Sequence, residues 1–243
     1  MRTANPALNA NVFRATAMSG DSTEVMTLDG TVNKSAFGIA LTMGAAWWSW
    51  TQGPSMAAFL LPSLIGTLLI SIVLFFKKSW APGLTPLYAV AEGVLLGTIS
   101  LFAETKYPGI VFQAVSLTFG TFAALLMAYK SKMIPVTENF KLGLVAATGG
   151  ICVVYLLSFI LSFFNVSMSF LHDSSLLSIG ISFFVVIVAA LNLVLDFDFI
   201  ENGARAGNLP KYMEWYAAFG LLVTLVWLYL EILRLLMKLA DRK

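Results

Sequence analysis

The stretch Leu191–Lys243 decides the fold: LNLVLDFDFIENGARAGNLPKYMEWYAAFGLLVTLVWLYLEILRLLMKLADRK. An apolar run ends in three acids (Asp196, Asp198 and Glu201), and a short polar turn with glycines and a proline follows. A second apolar run then starts at Glu214. Carboxylates at the end of a membrane helix are costly unless they are paired, hydrated or functional. The stretch therefore predicts two membrane helices joined by a turn, with a functional site among the acids.

The composition of the whole chain agrees with a membrane location. The 243 residues are 58% apolar and 12% charged, with a mean hydropathy of +0.83, whereas soluble domains carry roughly 25% charged residues. The net charge of +2 is too small, and the basic residues are too scattered, to indicate a nucleic-acid partner. The single cysteine, Cys152, excludes an intrachain disulfide. We therefore expect an integral membrane protein.

Apolar segments of spanning length place the helices. A spanning helix needs about 20 mostly apolar residues, and residues 1–34 are polar and contain no such run. We predict a polar, mobile tail over 1–34 and a single all-α membrane domain over 35–243. Seven segments of that domain qualify, namely 36–52, 56–76, 85–103, 109–129, 142–164, 174–196 and 213–237.

Basic residues predict the orientation in the membrane. With a cytoplasmic N-terminus, ten Lys and Arg residues fall on the inside and only Lys106 falls in an outside loop. The basic C-terminal tail contradicts this pattern if the helix number is odd. Either the tail is tolerated outside or the last helix does not fully cross, and we favour seven spans. The expected location is the cell (cytoplasmic) membrane.

Two positions are candidates for an ion or proton path. Glu92 lies near the middle of the third predicted span, so it should face the interior, be protonated or meet a partner. At about 100° per residue, Asp196 and Asp198 point in nearly opposite directions. Asp196 follows LNLVL directly and is the deeper of the two, so we expect it to face inward. Asp198 and Glu201 fit a solvated helix end.

The remaining polar residues have simpler interpretations. Glu231 and Arg234 are spaced i, i+3 and can pair, which leaves a structural and a functional role for Glu231 equally open. Glu214, beside two aromatic residues, is expected at the membrane interface, and His172-Asp173 in an exposed loop. Small residues predict close helix packing at Gly93 and Gly97 and along one side of the fifth span, which includes Gly149 and Gly150.

Enzyme patterns are missing from the sequence. His172 is the only histidine, so neither a histidine-based catalytic triad nor a multi-histidine metal site can be assembled. The sequence has no glycine-rich phosphate loop, no Gly-x-Gly-Asp pattern of an aspartyl intramembrane protease, and no mid-membrane lysine in the last span. We therefore expect a protein that is not an enzyme and has no cofactor.

Several motifs resemble one known family. LNLVLDFDFIE, PKYMEWYAAFGL and LYLEILRLL are similar to the C-terminal signature of the Bax inhibitor-1 family, the transmembrane Bax-inhibitor-motif proteins. Seven spans, a polar tail and ANPALN near the start agree with its bacterial branch. The resemblance implies a bundle in which six helices surround the C-terminal one. It also implies a pH-sensitive calcium leak governed by two aspartates.

The resemblance assigns the two aspartate positions. The first, at the end of the sixth helix, corresponds to Asp196, with calcium as its possible ligand. The second corresponds to Thr224, so the carboxylate pair is not reproduced. Glu92 or Glu231 could supply a replacement carboxylate.

Three functions remain open from the sequence. The first is a calcium (cation) leak channel or transporter, with Asp196 and Glu92 on its path and Glu231 and Asp198 as further candidates. The second is a membrane regulator that does not transport ions and instead binds a membrane protease or a stress or cell-death partner. In the third, every buried acid only ties helices together.

Overall fold

Helices make up most of the structure. A computed structural model describes residues 25–164 and 173–242. Within these ranges there is no strand, only an isolated bridge between Val25 and Pro210. Seven α-helices are described: α1 Leu28–Thr51, α2 Leu60–Phe76, α3 Ala81–Lys106, α4 Ile110–Lys130, α5 Glu138–Ser162, α6 Leu176–Ala206 and α7 Met213–Asp241. Two short 3-10 helices, Gly53–Phe59 and Lys78–Trp80, precede α2 and α3.

Each of the seven predicted spans corresponds to one of these helices. In the described part of the chain, six segments are long and apolar enough to cross a membrane. They are Gly53–Phe76, Lys78–Lys106, Ile110–Lys130, Glu138–Ser162, Leu176–Ala206 and Met213–Asp241. The protein is therefore a multi-pass helical membrane protein. Helix α1 is not among the six, so six of the seven predicted spans are supported and the span at 36–52 stays a prediction.

The start of α1 corrects the predicted boundary between tail and membrane domain. The helix begins at Leu28 rather than near residue 36, because Thr27 caps it and accepts a hydrogen bond from the Gly30 backbone N–H at 3.1 Å. The negative charge of Asp29 in the first turn stabilises the helix by interacting with the positive end of the helix dipole. Residues 28–34 are thus helical, and residues 1–24 of the predicted tail lie outside the described residues.

The chain forms two compact units. Among the described residues, the first unit contains 25–108 and 198–223, and the second contains 109–164, 173–197 and 224–242. Helices α6 and α7 contribute residues to both units.

In the first unit, α1 and α3 approach closely at two glycines. A Cβ atom on Gly93 would lie 2.4 Å from the Thr42 carbonyl oxygen, and one on Gly97 would lie 2.3 Å from the Ala46 carbonyl oxygen. Both distances are far below van der Waals contact, so only glycine fits. The predicted close packing at Gly93 and Gly97 is confirmed.

In the second unit, a small apolar core joins α5, α6 and α7. Leu144, Val188 and Leu195 are buried there, with Phe140 and Trp227 packed against them. The expected close packing at Gly149 and Gly150 is wrong, because a Cβ atom on either glycine would meet no heavy atom within 4 Å. Small residues permit close helix contact but do not bring a neighbouring helix to them.

Candidate functional site

The two aspartates of α6 point in different directions, as predicted. The side chain of Asp196 is fully buried, whereas that of Asp198 is partly exposed. Glu201, one turn further on, bonds Arg205 at 2.5 Å, as expected for a solvated helix end. The expected inward orientation of Asp196 is thus confirmed, and its role in ion binding stays a prediction.

Thr224, at the position where the family resemblance places a second aspartate, is buried in α7 and 4% exposed. It belongs to the second unit, as does Asp196. A threonine hydroxyl offers an oxygen ligand but no negative charge. Asp196 is therefore the only carboxylate that the two family positions supply.

Glu92 lies in the interior of the first unit, on α3. It is 5% exposed, and the hydroxyls of Tyr88 and Thr67 lie near its carboxyl group. The Tyr88 ring packs edge-on against Phe219 of α7, with the centroids 4.9 Å apart. The structure thus confirms that Glu92 faces inward and has partners, and it places Glu92 in a different unit from Asp196.

Glu231 is the centre of a polar cluster in the second unit. Its carboxylate accepts hydrogen bonds from the Tyr155 hydroxyl of α5 at 3.1 Å and from the Trp227 indole at 3.3 Å. Arg234 bonds the same carboxylate at 3.0 Å and the Tyr155 hydroxyl at 2.7 Å. The predicted pair of Glu231 and Arg234 is confirmed. Tyr155 was missed because it lies 76 residues away in the sequence.

Lys238 is a second polar residue that the sequence did not point out. Its ammonium group is buried and donates to the Ser178 hydroxyl at 2.7 Å and to the Ser182 hydroxyl at 2.8 Å. The two serines are spaced i, i+4 on α6, which places both hydroxyls on one helix face. That spacing was a usable signal in the sequence.

Glu214 corrects the expectation of an interfacial side chain, because it is fully buried. Its Oε1 accepts hydrogen bonds from the Thr27 backbone N–H and the Thr27 hydroxyl, both at 2.8 Å, and Lys34 pairs with Oε2. Lys211 lies 3.3 Å from Oε1. A carboxylate at a helix N-terminus and beside lysines can be buried because these groups replace its hydration.

Asp173 of the predicted loop pair is exposed, and His172 lies outside the described residues. Over residues 25–164 and 173–242, no three Asp, Glu, His or Cys side chains gather closely enough to hold a metal ion together. Calcium binding at Asp196 therefore stays a prediction.

These features define a class: a multi-pass helical membrane protein with carboxylates buried inside its helices. The chain belongs to the Bax inhibitor-1 family, because it matches the family described as Bax inhibitor 1 like over residues 5–241. No curated protein and no solved structure matches the chain.

Proposed function

We propose that the protein is a pH-sensitive calcium (cation) leak channel or transporter in the cell membrane, with its N-terminus in the cytoplasm. Asp196 is the proposed ion-binding or gating residue, and Glu92 is the proposed second carboxylate on the path. Glu231 and Asp198 are secondary candidates. The proposal involves no enzymatic reaction and no bound cofactor.

The observation that carries this proposal is the complete burial of Asp196 at the end of an apolar run. An ionised carboxylate in a low-dielectric interior is unfavourable without compensation, so such a group is stabilised by hydrogen-bond donors, by a proton or by a cation. Calcium prefers oxygen ligands, which carboxylates provide. Exchange between a proton and a cation at one carboxylate would make the flux depend on pH.

Thr224 shapes the expected pH response. Two neighbouring carboxylates share one proton and titrate as a coupled pair, whereas a threonine hydroxyl supplies no carboxylate for such a pair. We therefore expect a weaker or shifted pH dependence compared with a protein that has both aspartates. Restoring the carboxylate with Thr224→Asp is expected to strengthen it.

The arrangement of six helices around the C-terminal one is part of the same proposal. The burial of α7 supports it. In an apolar stretch of 18 residues, 67% of the residues are buried in α7, against 11% in α5.

The test is calcium flux into liposomes that contain the purified protein and a calcium dye, measured from about pH 6 to 8. Asp196→Asn removes the buried charge and should change the flux and its pH profile. Asp173→Asn is the matched control, because it makes the same change at an exposed aspartate that is not an ion-binding or gating candidate. Equal effects of both substitutions, or no flux from folded protein at any pH, would sink the leak proposal.

A regulator without transport is the alternative, and the neutral Thr224 favours it because the pair of acids is incomplete. Such a protein would bind a membrane protease or a stress or cell-death partner. Unchanged flux in the Asp196→Asn and Glu92→Gln variants, together with co-purification of a membrane protease, would support this alternative.

A further inference from the structure

Helix α1 turns its polar side inward and its apolar side outward. Large apolar residues on the helix are exposed, for example Phe37 and Trp47. The buried residues are all small or polar: Thr31, Ser35, Gly38, Thr42 and Ser49. Their spacing of three, four and seven residues puts them on one helix face. From Thr31 to Ser49 this polar face extends about 27 Å at about 1.5 Å per residue, close to the thickness of about 30 Å of a bilayer hydrocarbon core.

The two ends of the polar face are bonded within the protein. The Thr31 hydroxyl donates to the Thr27 carbonyl at 2.8 Å. At the other end, the Ser49 hydroxyl donates to the Val94 carbonyl at 3.0 Å and lies 3.0 Å from the Thr98 hydroxyl.

The middle of the polar face contains two buried hydroxyl groups whose hydrogen bonds are not satisfied. Ser35 Oγ and Thr42 Oγ1 are more than nine-tenths buried and have no hydrogen-bond partner among the described residues. A buried hydroxyl without a partner is unfavourable, and in proteins such groups are commonly satisfied by ordered water. Both positions therefore have the chemistry of a water-binding site.

Polar groups connect Ser35 to the end of the unit at which Glu214 lies. Lys34, the neighbour of Ser35, pairs with Glu214 and is 20% exposed. The Tyr216 hydroxyl is a third buried group without a partner in the described residues. The partly exposed Lys78 has its ammonium 5.9 Å from the centre of the Tyr216 ring. The partly exposed lysines make this end of the unit the candidate entrance for water.

An apolar side chain interrupts the polar face at Gly38. A Cβ atom on Gly38 would lie 2.7 Å from Cδ1 of Leu222, so the leucine fills the space beside the glycine. Gly38 lies one helical turn from both Ser35 and Thr42. Apolar constrictions of this kind exclude water in channels and act as gates.

Beyond this constriction, the polar face reaches the depth of Glu92. The Thr42 carbonyl is in close contact with Gly93, the residue next to Glu92. The hydroxyls of Tyr88 and Thr67 lie near the Glu92 carboxyl group.

We propose that the inward polar face of α1 is a water-binding track that enters at the Glu214 end and is gated by Leu222. When the gate opens, the track brings water and protons to Glu92. This inference shares Glu92 with the proposed function but does not rest on the proposed calcium flux, because it is argued from residues of the first unit and not from Asp196, which belongs to the second unit.

Cysteine accessibility tests the track. Cys152 is the only cysteine, so Cys152→Ala provides a background in which Ser35→Cys and Thr42→Cys can be labelled with a small charged methanethiosulfonate. Thr118→Cys is the matched control, because Thr118 is 2% exposed and its hydroxyl bonds its own helix at Ala114 O, 2.7 Å away. Thermal melting confirms that each variant is folded.

The expected pattern separates the two sides of Leu222. Ser35→Cys should react at least about tenfold faster than Thr118→Cys. A tenfold factor corresponds to a difference of about 1.4 kcal/mol in the activation free energy of labelling. Thr42→Cys should react as slowly as the control, and adding Leu222→Ala should accelerate it about tenfold while leaving Ser35→Cys unchanged. Ser35→Cys labelling at the control rate would overturn the proposal, and so would equal acceleration of all three cysteines by Leu222→Ala.

A stability measurement gives an independent answer at Ser35, on the entrance side of Leu222. If the hydroxyl binds water, Ser35→Ala loses that hydrogen bond and the melting temperature falls. If the site is dry, removal of an unsatisfied hydroxyl raises the melting temperature, and a value no lower than that of the wild type would overturn the track. The labelling pattern without calcium flux would overturn the proposed function alone, whereas flux without the labelling pattern would overturn the track alone.

Discussion

The carboxylate of Glu214, at the start of α7, accepts both the backbone N–H and the hydroxyl of Thr27, the residue that caps α1. The two residues are 187 positions apart in the sequence. Glu214 thereby takes the place that an anion occupies at a helix N-terminus. Two backbone contacts accompany the bond: the Met26 N–H donates to the Leu209 carbonyl at 2.7 Å, and Val25 bridges Pro210. The start of α1 is thus joined to the turn between α6 and α7.

Gly30→Ala is expected to destabilise the protein. Alanine is normally about 1 kcal/mol better than glycine inside a helix, but a Cβ atom here would lie 2.2 Å from Glu214 Oε1. The carboxylate cannot move freely because Thr27 and Lys34 hold it. Gly44→Ala on the same helix is the control, since its Cβ would meet nothing within 4 Å. The melting temperature should fall for Gly30→Ala and should stay the same or rise slightly for Gly44→Ala. Equal shifts of the melting temperature in both variants would contradict the close contact between Gly30 and Glu214.

The ion pair of Lys34 and Glu214 is expected to be energetically coupled. Glu214→Gln removes charge-assisted hydrogen bonds worth about 1.5–3 kcal/mol and should lower the free energy of unfolding by a similar amount. Lys34→Met should cost less, because Lys34 is 20% exposed and Lys211 is also near the carboxylate. The double-mutant cycle in denaturant titrations should give a coupling of about 1 kcal/mol or more. Additive effects of the two substitutions would rule out the pair as a stabilising contact.

Tyr155→Phe tests the cluster around Glu231. The substitution removes a hydroxyl that donates to Glu231 and accepts from Arg234, so the free energy of unfolding should fall by about 0.5–1.5 kcal/mol. The comparison is Arg205→Ala, which breaks an exposed pair with Glu201 on α6 and should cost at most about 1 kcal/mol and typically less. If Arg205→Ala lowers the free energy of unfolding more than Tyr155→Phe does, then the Glu231 cluster is not a stabilising link between α5 and α7.

Asp173 should not contribute to the pH response between pH 6 and 8. Hydrogen bonds from Ser175, chiefly from its hydroxyl at 2.8 Å, lower the pKa of the exposed Asp173 below its ordinary value. A depressed folded-state pKa contributes stability above the unfolded value of about 3.9, and this contribution is lost only as the pH falls through the lower folded value. The carboxylate therefore stays ionised from pH 6 to 8. Asp173→Asn should leave the shape of the flux profile unchanged, and a shifted profile would contradict this assignment.

The sequence was sufficient to locate the helices because spanning segments are a local property. Each of the seven described helices could be found from a run of apolar residues. The angle of about 100° per residue predicted that Asp196 and Asp198 point in opposite directions, and the position of Asp196 directly after LNLVL indicated that it faces inward. The pair of Glu231 and Arg234 was equally local. The start of α1 was placed too late, because hydropathy detects the apolar part of a helix and not its capped polar first turns.

The polar face of α1 is present in the sequence as a pattern that average hydropathy does not detect. Thr31, Ser35, Gly38, Thr42 and Ser49 recur at helical spacing within an otherwise apolar helix. In a soluble protein such a face would point to water. In this protein the polar side is buried and large apolar residues are exposed, which is the arrangement expected of a helix that faces lipid.

The sequence by itself therefore determined the class of protein, the place of the seven helices in the described part of the chain, and the acids that these helices carry. Only the tertiary structure decided which partners these acids meet: Thr27 and Lys34 for Glu214, Tyr88 and Thr67 for Glu92, and Tyr155 for Glu231. The physical reason is that helical periodicity fixes the face on which a residue lies, whereas the helix that packs against that face depends on contacts between distant parts of the chain.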